Sequence, residues 1–97
     1  MSHVVVWTQQ AVEDVQRIYQ FLATKNIEAA KAAIAAILRK AELLDSQPNA
    51  GRPAYDLEPE HRELIMPCGA SGYVMLYEVI GKDIVVLAVR HQKEAGW

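Results

Sequence analysis

The chain has 97 residues, of which 52% are hydrophobic and 23% charged, a balance typical of a folded protein rather than a disordered one. Its formal net charge of −2 offers no overall attraction to nucleic acids or anionic membranes, because such binding depends on an excess of Lys and Arg. The length fits one domain, residues 1–97, with a modest core. We therefore expect no sequence-specific binding to nucleic acid.

The single cysteine, Cys68, excludes an internal disulfide framework and indicates a reducing compartment. The sequence opens with no basic-then-apolar leader, and no apolar run reaches the roughly 18 residues of a membrane span. We therefore expect a cytoplasmic protein without a membrane association. His3, His61 and His91 are far apart and no phosphate-binding glycine loop is present, so we expect neither a metal nor a cofactor.

A short strand and two helices are predicted in the first half of the chain. The β-branched run Val4–Trp7 predicts the strand, and Thr8 supplies an N-cap for a helix over about Gln9–Ala23. Asn26 is the N-cap of a second helix, whose apolar residues recur three and four apart as far as Leu44. The minimal break between the helices favours an intramolecular hairpin over a coiled-coil dimer.

Two polar features of this half are predicted to be structural. Asp14 and Arg17 are three residues apart on the polar side of the first helix, which predicts a solvent-exposed pair. A long loop follows the second helix, and Gly51 within it is expected to adopt a positive φ, with Arg52 tethering the loop.

The second half predicts three strands. They cover about Arg62–Pro67, Tyr73–Ile80 and Ile84–His91, and a tight turn at Gly81 joins the last two. The resulting order, β-α-α-β-β-β, predicts an α+β fold in which a helical hairpin packs on one face of a small antiparallel sheet.

The last strand is apolar from Ile84 to Val89, so both of its faces need cover, and the helical hairpin can cover only one. We therefore expect a protein partner to bury the remaining apolar surface. Strict alternation places Arg90 on the face of Ile84, Val86 and Ala88, and His91 on the face of Val85, Leu87 and Val89. The candidate partner-binding residues are Val74, Leu76, Arg90, His91 and Trp97.

Several motifs, in this order and spacing, resemble the ParE/RelE superfamily of bacterial toxins over essentially the whole chain. They are Trp7-Thr8 with Ala11 and Asp14, then Pro48-Asn49-Ala50-Gly51-Arg52, Arg62-Glu63-Leu64, Tyr73 with Tyr77, and Val89-Arg90-His91. The ending Glu94-Ala95-Gly96-Trp97 is similar to the ParE-type plasmid-stabilisation subgroup.

The resemblance implies a toxin of a type II toxin–antitoxin module, neutralised by a cognate antitoxin that docks by strand addition or as a helix in a groove. ParE-like members inhibit DNA gyrase by binding, which implies no catalytic residues; this is the preferred interpretation because the chain lacks a concentrated basic cluster. RelE-like members cleave mRNA on the ribosome. On that alternative, an endonuclease site would use Arg62, Glu63, Arg90 and His91.

Overall fold

Two helices lie on one face of a five-stranded sheet, which confirms the predicted α+β class. The structure is a computed structural model and describes residues 3–54, 57, 60–68 and 71–93. In chain order its elements are β1 (Val4–Trp7), α1 (Gln9–Ala23), α2 (Ile27–Leu43), β2 (Arg52–Pro53), β3 (His61–Cys68), β4 (Ser71–Ile80) and β5 (Asp83–His91).

The sheet is mixed rather than wholly antiparallel, with the strand order β1-β5-β4-β3-β2. β1 runs parallel to β5. The two strands are neighbours in the sheet, but the helical hairpin and the other three strands separate them along the chain. The β3–β4 and β4–β5 pairs are antiparallel, as predicted, and β2 pairs antiparallel with β3. β2 was not predicted, since two residues that include a proline are too short to show any periodicity.

Both predicted helix caps are confirmed. The Thr8 hydroxyl accepts a hydrogen bond from the Ala11 backbone N–H at 3.1 Å, and the Asn26 side chain accepts one from the Ala29 N–H at 3.1 Å. The core lies between the helices and the sheet. Alanines on the inner sides of the helices let the backbones approach, and the core members are Ala11, Ala33, Ala41, Ile18, Ile37, Leu44, Leu64, Met66, Tyr73, Met75, Tyr77, Ile84, Val86 and Val89.

A β-bulge at Leu87 changes which side of the sheet the end of β5 presents. Tyr77 pairs with Val86, but the next residue back along β4 pairs with Ala88, so Leu87 is an extra residue. The predicted placement of Arg90 beside Ile84 and Val86 is therefore wrong. Arg90 lies opposite Val74 on the side without helices, here called the outer face, and His91 lies opposite Tyr73 on the helix-facing side.

The side chains of Thr8, the N-cap of α1, and of Asp14 within α1 satisfy backbone groups at and after this bulge. β1 pairs with β5 only as far as Trp7 opposite Val86, because the chain turns into α1 at Thr8. Beyond that point the Thr8 hydroxyl donates to the Leu87 carbonyl at 3.1 Å, and an Asp14 carboxylate oxygen accepts from the Val89 N–H at 2.9 Å. The two side chains thus supply hydrogen-bond partners that a neighbouring strand would otherwise provide.

Asp14 is therefore not the surface residue that helical periodicity predicts. It is only 7% exposed, and its second oxygen accepts from the Gln10 side chain at 2.9 Å, with Arg17 at 3.6 Å. A carboxylate can be buried here because hydrogen bonds compensate for its lost hydration.

Tyr77 fixes the loop that joins α2 to β2. Its hydroxyl donates to the Pro48 carbonyl and accepts from the Gly51 N–H, both at 2.8 Å. Gly51 does not have a positive φ, contrary to the prediction; it is needed because a Cβ there would lie 2.7 Å from the Tyr77 ring and 2.8 Å from the Glu63 carbonyl. Burial raises the pKa of the Tyr77 phenol, partly opposed by the Gly51 hydrogen bond and the charge of Arg62.

Candidate functional site

A concave surface of about 380 Å³ lies between the C-terminal half of α2 and the end of the sheet where β3 leads into β4; we call it the α2 groove. Its floor includes the buried side chains of Ile37, Met66 and Tyr73. Exposed Arg39 and Lys40 stand at its rim. The remaining lining residues are Ala36, Leu43 and Pro67.

An apolar floor with cations at the rim suits a bulky apolar side chain flanked by a carboxylate. The lining lacks the convergent acid, base and nucleophile that catalysis requires. Within residues 3–54, 57, 60–68 and 71–93 no group of three or more His, Cys, Asp or Glu is placed to hold a metal ion. In the same described part of the chain, neither helix is long and apolar enough to cross a bilayer.

His91 adjoins the α2 groove through Tyr73. The two rings make an edge-to-face contact, with centroids 5.4 Å apart and planes at 89°. The backbone after β5 is held at the same place, since the Gln92 N–H donates to the Gly72 carbonyl at 2.9 Å and the Lys93 N–H donates to His91 Nδ1 at 3.0 Å. The end of β5 and the groove therefore form one continuous region.

The four residues named for an endonuclease do not come together. Arg62 and His91 lie on the helix-facing side, opposite Tyr77 and Tyr73 respectively, so roughly 13 Å of strand separates their rows. Glu63 and Arg90 lie on the outer face, with β4 between them.

Three of these four residues also have roles within the fold. The Arg62 guanidinium donates to the Gly51 carbonyl at 2.7 Å, and Glu63 pairs with Arg52 at 2.8 Å. The Arg90 guanidinium donates to the His91 carbonyl at 3.2 Å. These contacts hold a loop or a strand end in place, which explains where the three side chains lie.

The predicted partner-binding residues have mixed positions. Val74 and Leu76 belong to the outer face but are 3% and 8% exposed within the chain itself. Arg90 is partly exposed on that face, and Trp97 lies outside the described residues. Whether these residues contact a partner stays a prediction.

Sequence reasoning missed the α2 groove and an exposed apolar patch on the outer face. The groove depends on how α2 sits on the sheet, which no local pattern encodes. The patch is formed by Val4 and Val6 of β1, which are 60% and 42% exposed. The alternation of side chains along β1 could have predicted this patch. Val5 and Trp7 pack against the core, so Val4 and Val6 must point to the opposite face.

A helical hairpin on one face of a five-stranded sheet, with the first strand parallel to the last, defines the RelE/ParE-like fold of small toxins. Residues 5–96 match the family described as ParE toxin of type II toxin-antitoxin system, parDE. The chain belongs to this ParE toxin family, within the ParE/RelE superfamily.

Individual relatives agree with this assignment. The toxin RelE3 of Caulobacter vibrioides is 33% identical over 85 residues, covering 88% of this chain and 89% of that protein. A chain from the chromosomal ParDE TA system of P. aeruginosa matches with a TM-score of 0.75 at 24% identity, covering 93% of this chain and 96% of that one. A chain from the RelBE2 toxin-antitoxin complex of Mycobacterium tuberculosis matches with a TM-score of 0.62 at 20% identity, covering 95% of this chain and 100% of that one. At these identities the structural matches establish the fold alone.

Proposed function

We propose that this toxin acts by binding DNA gyrase, without chemistry of its own, and that a cognate antitoxin neutralises it in the cytoplasm. The observation that carries the proposal is the separation of Arg62, Glu63, Arg90 and His91 onto two faces of the sheet. Phosphodiester cleavage needs an acid, a base and a charge-stabilising group around one phosphate. The net charge of −2 also supplies little attraction to ribosomal RNA.

The target-binding proposal is tested with purified chain in gyrase supercoiling and DNA-cleavage assays. We expect loss of supercoiling and accumulation of cleaved DNA. Arg90→Ala should weaken inhibition, because this side chain lies at the partly exposed end of β5. Arg17→Ala is the matched control, because this arginine side chain of α1 is 53% exposed, and it should leave inhibition unchanged. Supercoiling that stays unaffected over a wide concentration range would contradict the proposal.

We further propose that the antitoxin segment occupies the α2 groove with an apolar side chain and places a carboxylate near Arg39 and Lys40. The solved relatives described as ParDE and RelBE2 are themselves toxin-antitoxin systems, which supports a protein partner for this chain. Such a segment would gain its order on binding, so its affinity depends strongly on the few anchors that fill the groove.

The groove proposal is tested by charge reversal at the rim. The double substitution Arg39→Glu and Lys40→Glu should weaken antitoxin binding by roughly tenfold or more, since each lost interfacial charge pair is replaced by repulsion. Lys31→Glu changes an exposed cation on the same helix outside the groove and serves as the control. Equal affinities for all three proteins would place the antitoxin elsewhere.

The alternative is a ribosome-dependent mRNA endonuclease, favoured by the 33% identity to the protein named toxin RelE3. Mapping transcript ends after brief expression separates the two functions. Cleavage at codon positions that Arg90→Ala abolishes would support the nuclease, whereas intact transcripts together with DNA damage would support gyrase poisoning.

A further inference from the structure

β1 forms one edge of the sheet and leaves part of its backbone without a neighbouring strand. The Val4 N–H donates to the Lys82 carbonyl at 2.8 Å and the Thr8 N–H to the Val86 carbonyl at 3.1 Å, so alternate residues of β1 face β5. Val5 and Trp7 direct their N–H and C=O groups the other way, where no further strand lies within the described ranges 3–54, 57, 60–68 and 71–93.

The backbone at the start of this edge is hydrogen-bonded, whereas the rest of the edge lacks the features that usually prevent pairing with another strand. The His3 N–H donates to the Asp45 carbonyl at 3.3 Å, so the turn after α2 covers the first position. From Val4 to Trp7 the strand contains no charge, proline or bulge, which are the features that prevent edge pairing in many proteins. Val4 and Val6 add apolar surface beside the edge, being 60% and 42% exposed.

We propose that the edge of β1 pairs antiparallel with β1 of a second copy of this chain, about a two-fold axis at Val6. In this register Val5 of one copy lies opposite Trp7 of the other, so all outward backbone groups of both residues are paired. The two Val6 side chains meet on the outer face, and each Trp7 packs against a valine, an aromatic–β-branched pair that stabilises sheets. No like charges are brought together, which favours a second copy as the occupant.

The contact is small and therefore weak. β1 has 4 residues, whereas stable complexes bury about 800 Å² on each partner, so we expect a dimer that forms only as concentration rises. This inference concerns the free toxin and does not depend on whether its target is gyrase or the ribosome.

Sedimentation of the purified full chain over a wide concentration range, with Val6→Lys as the disrupting variant, tests the pairing. We expect the wild-type mean mass to rise towards that of two chains. Lysines meeting across the two-fold axis should raise the dissociation constant about tenfold or more. Val12→Lys, at an exposed valine of α1, is the control and should behave as wild type. Circular dichroism verifies that each variant is folded.

Oxidative cross-linking tests the register itself. Val6→Cys should form a reducible dimer, because directly opposed residues in a pair without mutual hydrogen bonds have Cα atoms about 4.5 Å apart, within disulfide range. Val4→Cys should not, since the two-fold axis separates these positions by roughly 13 Å. Wild type controls for cross-linking through Cys68.

Three results would overturn the proposal. One is a mass that stays that of a monomer at every concentration, and another is equal cross-linking at Val4 and Val6 variants. The third is a Val6→Lys chain that still dimerises like wild type. If Val6→Lys weakened antitoxin binding instead, with the free chain always monomeric, the edge would belong to the antitoxin.

Discussion

Replacing Asp14 with alanine should destabilise the fold through β5 rather than through the helix that carries it. The carboxylate accepts the Val89 N–H at 2.9 Å, 75 residues away along the chain. Alanine removes that acceptor and leaves a buried backbone donor without a partner, at a cost of about 1–3 kcal/mol. Alanine is the better helix former by up to about 0.7 kcal/mol, which offsets part of the loss. The net expected loss is therefore about 0.3–2.3 kcal/mol.

Urea unfolding measures this loss directly. With an m-value of about 1–3 kcal/mol per molar, Asp14→Ala should lower the midpoint by roughly 1 M. Asp14→Asn keeps an oxygen acceptor and should lose about half as much. Glu13→Ala, at an exposed neighbour on α1, is the matched control and should stay within about 0.5 kcal/mol of wild type. An Asp14→Ala protein as stable as the Glu13→Ala protein would refute the role assigned to this carboxylate.

Further predictions concern the loop held by Tyr77. Tyr77→Phe should cost about 1–3 kcal/mol in urea unfolding, because it strands the buried Gly51 N–H; a smaller loss would show that the N–H finds another acceptor. Gly51→Ala should be at least as harmful, since its Cβ would lie 2.8 Å from a backbone oxygen that cannot rotate away. The raised pKa of Tyr77 means that the unfolded chain loses its phenolic proton first, so stability present below pH 10.0 should fall as pH rises through the folded-state pKa. In Tyr77→Phe this part of the alkaline loss should be absent. Arg52→Ala should cost about 1 kcal/mol or somewhat more, because the Arg52 side chain is 58% exposed but its partner Glu63 is only 12% exposed and would lose this cation.

The regular elements could be predicted from the sequence because their signals are local. Thr8 and Asn26 mark the starts of α1 and α2, and the turn at Gly81, with a φ of 60°, marks the β4–β5 hairpin. The order of these elements then restricts the architecture to helices on one side of a sheet.

The features that were missed depend on contacts between distant segments. The bulge at Leu87 is invisible in an apolar run, and it reversed the predicted side of Arg90 relative to Ile84 and Val86. Asp14 looks like a surface residue until the unpaired edge of β5 supplies a reason to bury it. For the candidate site, the α2 groove arises from the packing of α2 against Met66 and Tyr73, which no single segment specifies.

The parallel pairing of the first and last strands also constrains how this toxin is made. β1 leaves the ribosome long before β5. The Thr8 hydroxyl can donate to the Leu87 carbonyl, 79 positions later, only after that residue has been synthesised. Contacts between such remote segments slow folding, because the intervening chain must lose conformational entropy before the contacts can stabilise the fold. A nascent chain therefore cannot close its sheet until β5 has emerged, and the mature surface exists only at the end of synthesis.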